Sequence, residues 1–536
     1  MKHYYFTFIL LMFSAAMFSQ EDAWVYFKDK PSSQSFLDKP SDMLSTRSLT
    51  RRTNQNIALD QIDVPVEKSY LNQIKSSAGI TILAKSKWLN ALHITGTQAN
   101  VSALKSLAFV DKVVFANKTL NITAKIISEN RTVETQNKLK TTIDYAYGNA
   151  ASQIQMLNGQ ILHKQNYTGE GKVIAVLDAG FPGVNTAQPF QNLQTNNRIL
   201  GGYDFVNRNA NFYTGDDHGT LVLSTMGGYK ENALVGTAPD ASYYLFITEN
   251  DASENPIEES LWVEAAEKAD SLGVDIITTS LGYFSFDKAG ESHTYSDMNG
   301  STTFISRGAE IAFSRGIIVV ASAGNEGRTA EPHIGAPADA VSVIAVGSVT
   351  SAKVKSDFSS VGPSFDNRIK PDVMAQGTAA AVSNASGTIG TSNGTSFSCP
   401  IMAGMIACLW QAFPEKTNKE IRKMILESSD RYTAPNYNYG YGIPNFGSTL
   451  GTETFNSSSE IFSVYPNPAL TQVSFLFSDK LDTASVSIYS ILGQKLIEKQ
   501  ITSQNPVLSL QSLKSGLYFY TFDAESLHKT GKIIKQ

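Results

Sequence analysis

Three segments of this chain carry, one each, the side-chain types from which covalent nucleophilic catalysis is assembled: an aspartate, a histidine and a serine. Asp178 ends the apolar run Val173-Ile174-Ala175-Val176-Leu177 and is followed by Ala179-Gly180. A carboxylate at the C-terminal end of a parallel strand lies where open α/β folds place their sites, although a strand-terminal Asp is also a common turn former. Of the seven histidines, His3 falls in the N-terminal apolar segment, His93 in the first domain and His528 in the tail. Among the remaining His163, His218, His293 and His333, only His218 has a suggestive context, Gly215-Asp216-Asp217-His218-Gly219-Thr220, ahead of the helix-like Leu221–Gly227. The small Gly219 leaves room for a substrate beside the ring; by itself His218 also reads as an ordinary polar loop histidine. Ser396 lies in Gly394-Thr395-Ser396-Phe397-Ser398-Cys399-Pro400, running into the apolar helix Ile401–Phe413. Pro400 suits a helix's first turn, and a serine just before it has backbone N–H groups nearby; alone, Ser396 is equally an N-cap. The order Asp…His…Ser is one of the known triad orders.

These side chains need a scaffold. From about Asp144 to Ser448, short apolar runs (Val173–Leu177, Ala241–Ile247, Val274–Thr278, Ile317–Ala321, Val341–Val346) alternate with helix patterns. Such runs predict an α/β fold, a parallel sheet covered by helices on both faces. From about Ala23 to Ile122 the chain predicts a strand at Ala23–Phe27, a helix within Ala58–Ala78 and one or two strands over Ile80–Thr95. A helix at Asn100–Leu107 and a strand at Val110–Phe115 follow, a β-α-β-β-α-β order. The polar stretch from Thr123 to Thr142 reads as a linker, and the Ser- and Thr-rich Gly451–Glu460 as a second one. Ile461 to Gln536 alternates strands with turns at Pro466-Asn467-Pro468 and Ser515-Gly516, and predicts a small β-sandwich.

Composition excludes several classes. With 44 basic and 49 acidic residues the formal charge is −5, which gives no electrostatic case for nucleic acid or an anionic membrane. Arg51-Arg52 is short and reads as solvated surface. Lys2 and His3, the apolar run Phe6–Phe18 and the small Ala16 and Ser19 before Gln20 read as a secretory signal. A spanning helix needs about 20 apolar residues, and no later segment of that length lacks charges, so the mature chain is expected to have no transmembrane segment. The two cysteines, Cys399 and Cys408, lie about 13 Å apart if they share one helix, too far to bridge.

Taken together, Val176-Leu177-Asp178-Ala179-Gly180, His218-Gly219-Thr220 and Gly394-Thr395-Ser396 resemble the subtilisin family, the subtilases. Ser322-Ala323-Gly324-Asn325 is similar to the family's oxyanion segment and Ser280-Leu281-Gly282 to its substrate-binding strand. Phe358-Ser359-Ser360-Val361-Gly362-Pro363 and Lys370-Pro371-Asp372-Val373 match as well. Two segments depart: Ala179 stands where the family usually has Thr or Ser, and Phe397-Ser398-Cys399 replaces a more usual Met-Ala-Ala.

The resemblance implies a serine endopeptidase in which Ser396 attacks a peptide carbonyl, His218 moves the proton and Asp178 orients His218. These roles are the family's own, carried onto matching positions. Asn325 would stabilise the oxyanion with the Ser396 N–H, while Ser280, Leu281, Gly282, Ala323 and Gly324 would flank the substrate as an added strand. Tyr283 and Gly335 would shape the P1 pocket, whose open glycine floor points to an apolar or aromatic P1 residue. No cofactor is implied for catalysis; structural calcium is common in the family, but no acidic loop here has ligand-like spacing. The first zone resembles a ferredoxin-like inhibitory propeptide. The tail, with Tyr465-Pro466-Asn467-Pro468, Gly516-Leu517-Tyr518 and Gly531-Lys532-Ile533-Ile534-Lys535, resembles sorting domains of the type IX secretion system. The expected layout is a signal at 1–19, propeptide 20–122, maturation linker 123–142, peptidase 143–449, linker 450–460 and sorting domain 461–536. Expected partners are protein or peptide substrates, the chain's own propeptide and the type IX machinery; the expected location is outside the cell or on its surface. An α/β-hydrolase is disfavoured by the missing Gly-x-Ser-x-Gly elbow, and a metallopeptidase by the missing His-Glu-x-x-His. The remaining rival is a non-catalytic binding or adhesion protein on the same scaffold.

Overall fold

The computed structural model describes residues 19–121, 144–450, 462–465, 467–477, 483–524 and 527–536. The signal segment through residue 18, the 123–142 linker, the second linker from residue 451 and Pro466 lie outside these residues. The chain divides after Gly451 into two units, each described by itself.

The first unit opens with strand β1 (Gln20–Phe27), helix α1 (Thr46–Asn54), helix α2 (Lys68–Lys75), strands β2 (Ile80–Ser86) and β3 (Ala91–Thr97), helix α3 (Gln98–Ala103) and strand β4 (Val110–Phe115). The four strands form an antiparallel sheet in the order β2-β3-β1-β4, the expected ferredoxin-like arrangement. Alternation along β1 splits its side chains between two cores. Ala23, Val25 and Phe27 pack with Ile74 and Val101 of the domain's own helices, while Trp24 and Tyr26 face the following domain. Helix α1 was not expected. Its buried residues include Arg51 and Arg52, at 6% and 2% exposure, so these arginines are interior and not solvated surface.

The larger domain builds on β5 (Val173–Asp178), β6 (Ile199–Asp204), helix α4 (His218–Gly227), β7 (Ser242–Ile247), helix α5 (Ile257–Leu272), β8 (Ile276–Thr279), helix α6 (Phe304–Ser314), β9 (Ile318–Ser322), β10 (Ile344–Val349), β11 (Val373–Gln376), helix α7 (Thr395–Ala412) and helix α8 (Asn418–Glu427). The seven strands run parallel in the order β11-β10-β9-β8-β5-β7-β6. All six residues of β5 are buried because both sheet faces are covered, which is why the strand reads as one apolar run. Ile174 and Val176 pack with Val222 and Leu223 of α4 and with the buried residues of α7. Val173, Ala175 and Leu177 pack on the other face with Trp262 and Ala266 of α5 and Ile305 and Ala309 of α6. Parity therefore assigns Asp178 to the face of α4 and α7.

The first domain sits on α5 and α6. Trp24 Nε1 donates to Ser260 Oγ at 2.8 Å, and the rings of Trp24 and Phe304 stack at 5.3 Å. Glu267 of α5 accepts hydrogen bonds from Ser86 Oγ and from the backbone N–H groups of Lys87 and Trp88. Asp270 of the same helix accepts from Arg51 at 2.5 Å and Arg52 at 2.9 Å, and Arg52 also reaches Asp63 at 2.8 Å. Buried charges persist only when paired in this way.

The second unit holds β12 (Phe462–Tyr465), β13 (Gln472–Phe477), β14 (Thr483–Tyr489), β15 (Lys495–Thr502), β16 (Val507–Ser509), β17 (Gly516–Ala524) and β18 (Leu527–Lys535). They form two antiparallel sheets, β12-β13-β16 and β15-β14-β17-β18, over a core that includes Val473, Phe475, Val486, Ile488 and Phe522. This is the expected small β-sandwich. Among the described residues no helix is long and apolar enough to cross a membrane. Cys399 and Cys408 are free and buried, both on α7.

Candidate active site

Asp178 is fully buried, and its Oδ1 accepts hydrogen bonds from the Ala179 N–H at 2.8 Å and from His218 Nδ1 at 2.7 Å. A carboxylate can only accept, so Nδ1 carries the proton and Nε2 is the free lone pair of the neutral ring. Asp178 raises the His218 pKa to about 9 by its charge, against the opposing pull of burial. Gly219 makes this approach possible: a methyl group there would lie 2.4 Å from the Gly180 carbonyl oxygen and 3.0 Å from Asp178 Cβ. The other carboxylate oxygen, Oδ2, is buried and finds no hydrogen-bond partner among the described residues, and the residue beside it is Ala179, which has no hydroxyl to offer.

Helix α7 starts earlier than its apolar run indicates. Gly394 is its N-cap and Ser396 its second residue, so Ser396 is not the cap, and Pro400 lies inside the helix. Proline lacks the N–H that would bond the carbonyl four residues back. The Ser396 carbonyl is instead satisfied by the Ser280 hydroxyl at 2.8 Å, while Ser396 Oγ is 3.4 Å from the Ser280 carbonyl. Phe397 brings its ring centroid to 6.2 Å from that of His218. Asn325 Oδ1 accepts from the N–H of Thr395 at 3.0 Å and from its hydroxyl at 3.1 Å. An N–H can meet only the oxygen end of the amide, which leaves Asn325 Nδ2 as a donor at the helix start, where the macrodipole favours negative charge.

Ser280, Gly282, Ala323, Gly324 and Asn325 line one pocket of about 130 Å³, together with Phe284, Ser322, Glu326, Glu331, His333 and Gly335. Leu281 is not among the lining residues: it is buried, and its carbonyl accepts from Ser322 Oγ at 3.3 Å. Tyr283 also stands outside, with its backbone paired to Ala336 and its hydroxyl donating to Glu249 at 2.7 Å. Phe284 takes the lining position expected for Tyr283.

The other histidines of this domain make different contacts, His333 at the pocket itself. His163 is buried between the Tyr147 hydroxyl and the Thr237 carbonyl, and burial pulls its pKa down to about 4. His293 pairs with Glu259 at 2.5 Å, and His333 stacks on Tyr295 at 4.0 Å. Burial pushes the Cys399 thiol up to about 12, which leaves it unreactive. Sequence spacing missed one grouping: Glu249, Glu254 and Glu258 bring carboxylate oxygens within 4.8 Å of one another. Burial raises all three pKa values, that of Glu258 to about 7.

The profile of the subtilase family (Peptidase S8) matches residues 169–442, the span that holds Asp178, His218, Asn325, Ser396 and the lining of the pocket. The chain belongs to the subtilase family. A profile for the Peptidase S8 propeptide domain of Bacteroidota matches residues 22–136, and one for the secretion system C-terminal sorting domain matches residues 463–536. Over 295 residues the chain is 33% identical to Subtilisin NAT of Bacillus subtilis subsp. natto, covering 54% of this chain and 69% of that protein. It is 32% identical to Subtilisin of Bacillus pumilus, covering 95% of that sequence. A crystal structure of MycP1 with its N-terminal propeptide removed is 22% identical and covers 57% of this chain and 98% of its own, with a TM-score of 0.45. This subtilase is therefore a subtilisin-like serine peptidase, preceded by a propeptide domain and followed by a sorting domain.

Proposed function

We propose that this subtilase is a secreted endopeptidase that works through Asp178, His218 and Ser396 with an acyl-enzyme intermediate. The observation that carries the reading is the 2.7 Å bond from His218 Nδ1 to a buried Asp178, beside the first turn of α7 that bears Ser396. Ser396 Oγ bonds to the substrate carbonyl carbon as its proton passes to His218 Nε2. His218 then protonates the amine as the C–N bond breaks, and water, deprotonated by the same nitrogen, releases the acyl group. Asn325 Nδ2 and the Ser396 N–H hold the oxyanion. The substrate pairs as an added strand with Ser280–Gly282, where Gly282 is exposed and open space lies where a Cβ would stand.

Residues 1–19 act as the export signal, 20–122 as an inhibitory propeptide removed by cleavage within 123–142, and 461–536 as the signal for type IX export to the surface or medium. The test compares the full chain with Ser396→Ala on casein, with a fluorophosphonate label. Wild type should cleave, label at Ser396 and shed its N-terminal domain, while Ser396→Ala loses more than about 10³-fold in activity and stays full length. A folded wild type that neither cleaves nor labels would transfer the assignment to the binding-protein reading.

A further inference from the structure

Gly335 opens the pocket beside Ser280–Gly282, and glycine there taken alone favours a bulky apolar occupant. The remaining lining residues change that. Gly282, Ala323, Gly324 and Gly335 give nearly bare backbone walls, against which a flat aliphatic stem can lie. Beyond them the lining includes two carboxylates and no Lys or Arg. Glu326 is folded back over the pocket wall: Ser360 Oγ donates to its Oε2 at 2.7 Å, and that oxygen would meet a methyl on Gly324 at 2.3 Å. Glu331 stands at the rim, its side chain 62% exposed, with Oε2 at 3.8 Å from His333 Nδ1. Among the described residues neither glutamate is paired with a lysine or arginine. The nearest cation along the chain, Arg328, is itself paired with Asp357 at 3.0 Å.

An apolar P1 side chain long enough to reach this end would strip water from two carboxylates and return nothing. A lysine or arginine would lay its stem along the glycine walls and keep its charged head beside the carboxylates, partly in water. We propose that this pocket selects a cationic P1 residue, with Glu326 and Glu331 as its specificity determinants. The proposal rests on the peptidase reading above.

The test uses the processed enzyme and matched peptides that differ only at P1: arginine, its neutral isostere citrulline, and phenylalanine. Wild type should prefer arginine to citrulline by ~10-fold in kcat/KM, about 1.4 kcal/mol, which lies within the range for two partly exposed ion pairs. In Glu326→Gln/Glu331→Gln that ratio should fall to within about two-fold, because neutral amides keep the shape and lose the attraction. Taking the ratio within one preparation cancels any loss of folded enzyme, and the wild-type ratio needs no variant. Preference for phenylalanine or citrulline, or a ratio untouched by the double substitution, overturns the proposal while casein cleavage persists. A wild type that cleaves neither peptides nor casein overturns the peptidase reading beneath it.

Discussion

His218 is held in an ionic partnership whose two consequences run in opposite directions with pH. Its pKa is raised from 6.5 to about 9, chiefly by the charge of Asp178. A general base must be neutral, so kcat/KM should rise with pH on a single limb whose midpoint lies above 6.5 and toward 9, as a pH–rate profile reads directly. Stability moves the other way. A raised native pKa adds stability that is complete below the unfolded value of 6.5 and fades as pH rises through about 9. The Tm difference between wild type and His218→Ala should accordingly shrink from pH 6 to pH 10. Asn325→Ala should keep the fold and lose about 10²–10³ in kcat, a magnitude known from subtilisin, a member of this same family. It should also leave the Thr395 N–H without its side-chain partner.

At the scale of elements, catalytic geometry depends on how closely two strand–helix units approach. Gly219 at the start of α4 sits so near Gly180 and Asp178 that Gly219→Ala should cost about 1–3 kcal/mol of stability and displace His218. Thermal unfolding and kcat should both fall, whereas Gly390→Ala, with open space around its added methyl, should leave Tm unchanged. Strands were legible in the sequence because covered strands must be apolar: Val173–Leu177 falls within one residue of β5. The triad segments were legible because small residues cluster where backbones approach closely. Helix α1 was not, since the face it buries carries Arg51 and Arg52, and an apolar periodicity is blind to a helix that docks through ion pairs. The true start of α7 was hidden for a similar reason. Pro400 looks like a first-turn residue, and only the Ser280 hydroxyl on the orphaned Ser396 carbonyl reveals why the helix tolerates it five residues in. The two pocket glutamates were invisible because nothing in their spacing relates them to Gly335.

The first two domains are joined across a surface that mixes aromatic packing with buried charge. Asp270→Ala would leave Arg51 and Arg52 facing each other without their shared carboxylate. Breaking a buried pair in this way costs about 3–5 kcal/mol. In the unprocessed Ser396→Ala background, Asp270→Ala should therefore lower Tm by several degrees. After the proposed removal of residues 20–122, which takes the arginines away, the same substitution should matter far less. The aromatic part of this surface has an optical consequence. Trp24 and Trp88 belong to the first domain, buried at 8% and 4% exposure, and they are half of the four tryptophans in the chain. Separation of that domain moves both indoles into water and leaves only Trp262 and Trp410 in the peptidase. That separation should thus announce itself as a red shift of tryptophan emission, so the moment the first domain leaves can be timed with light, without adding a substrate.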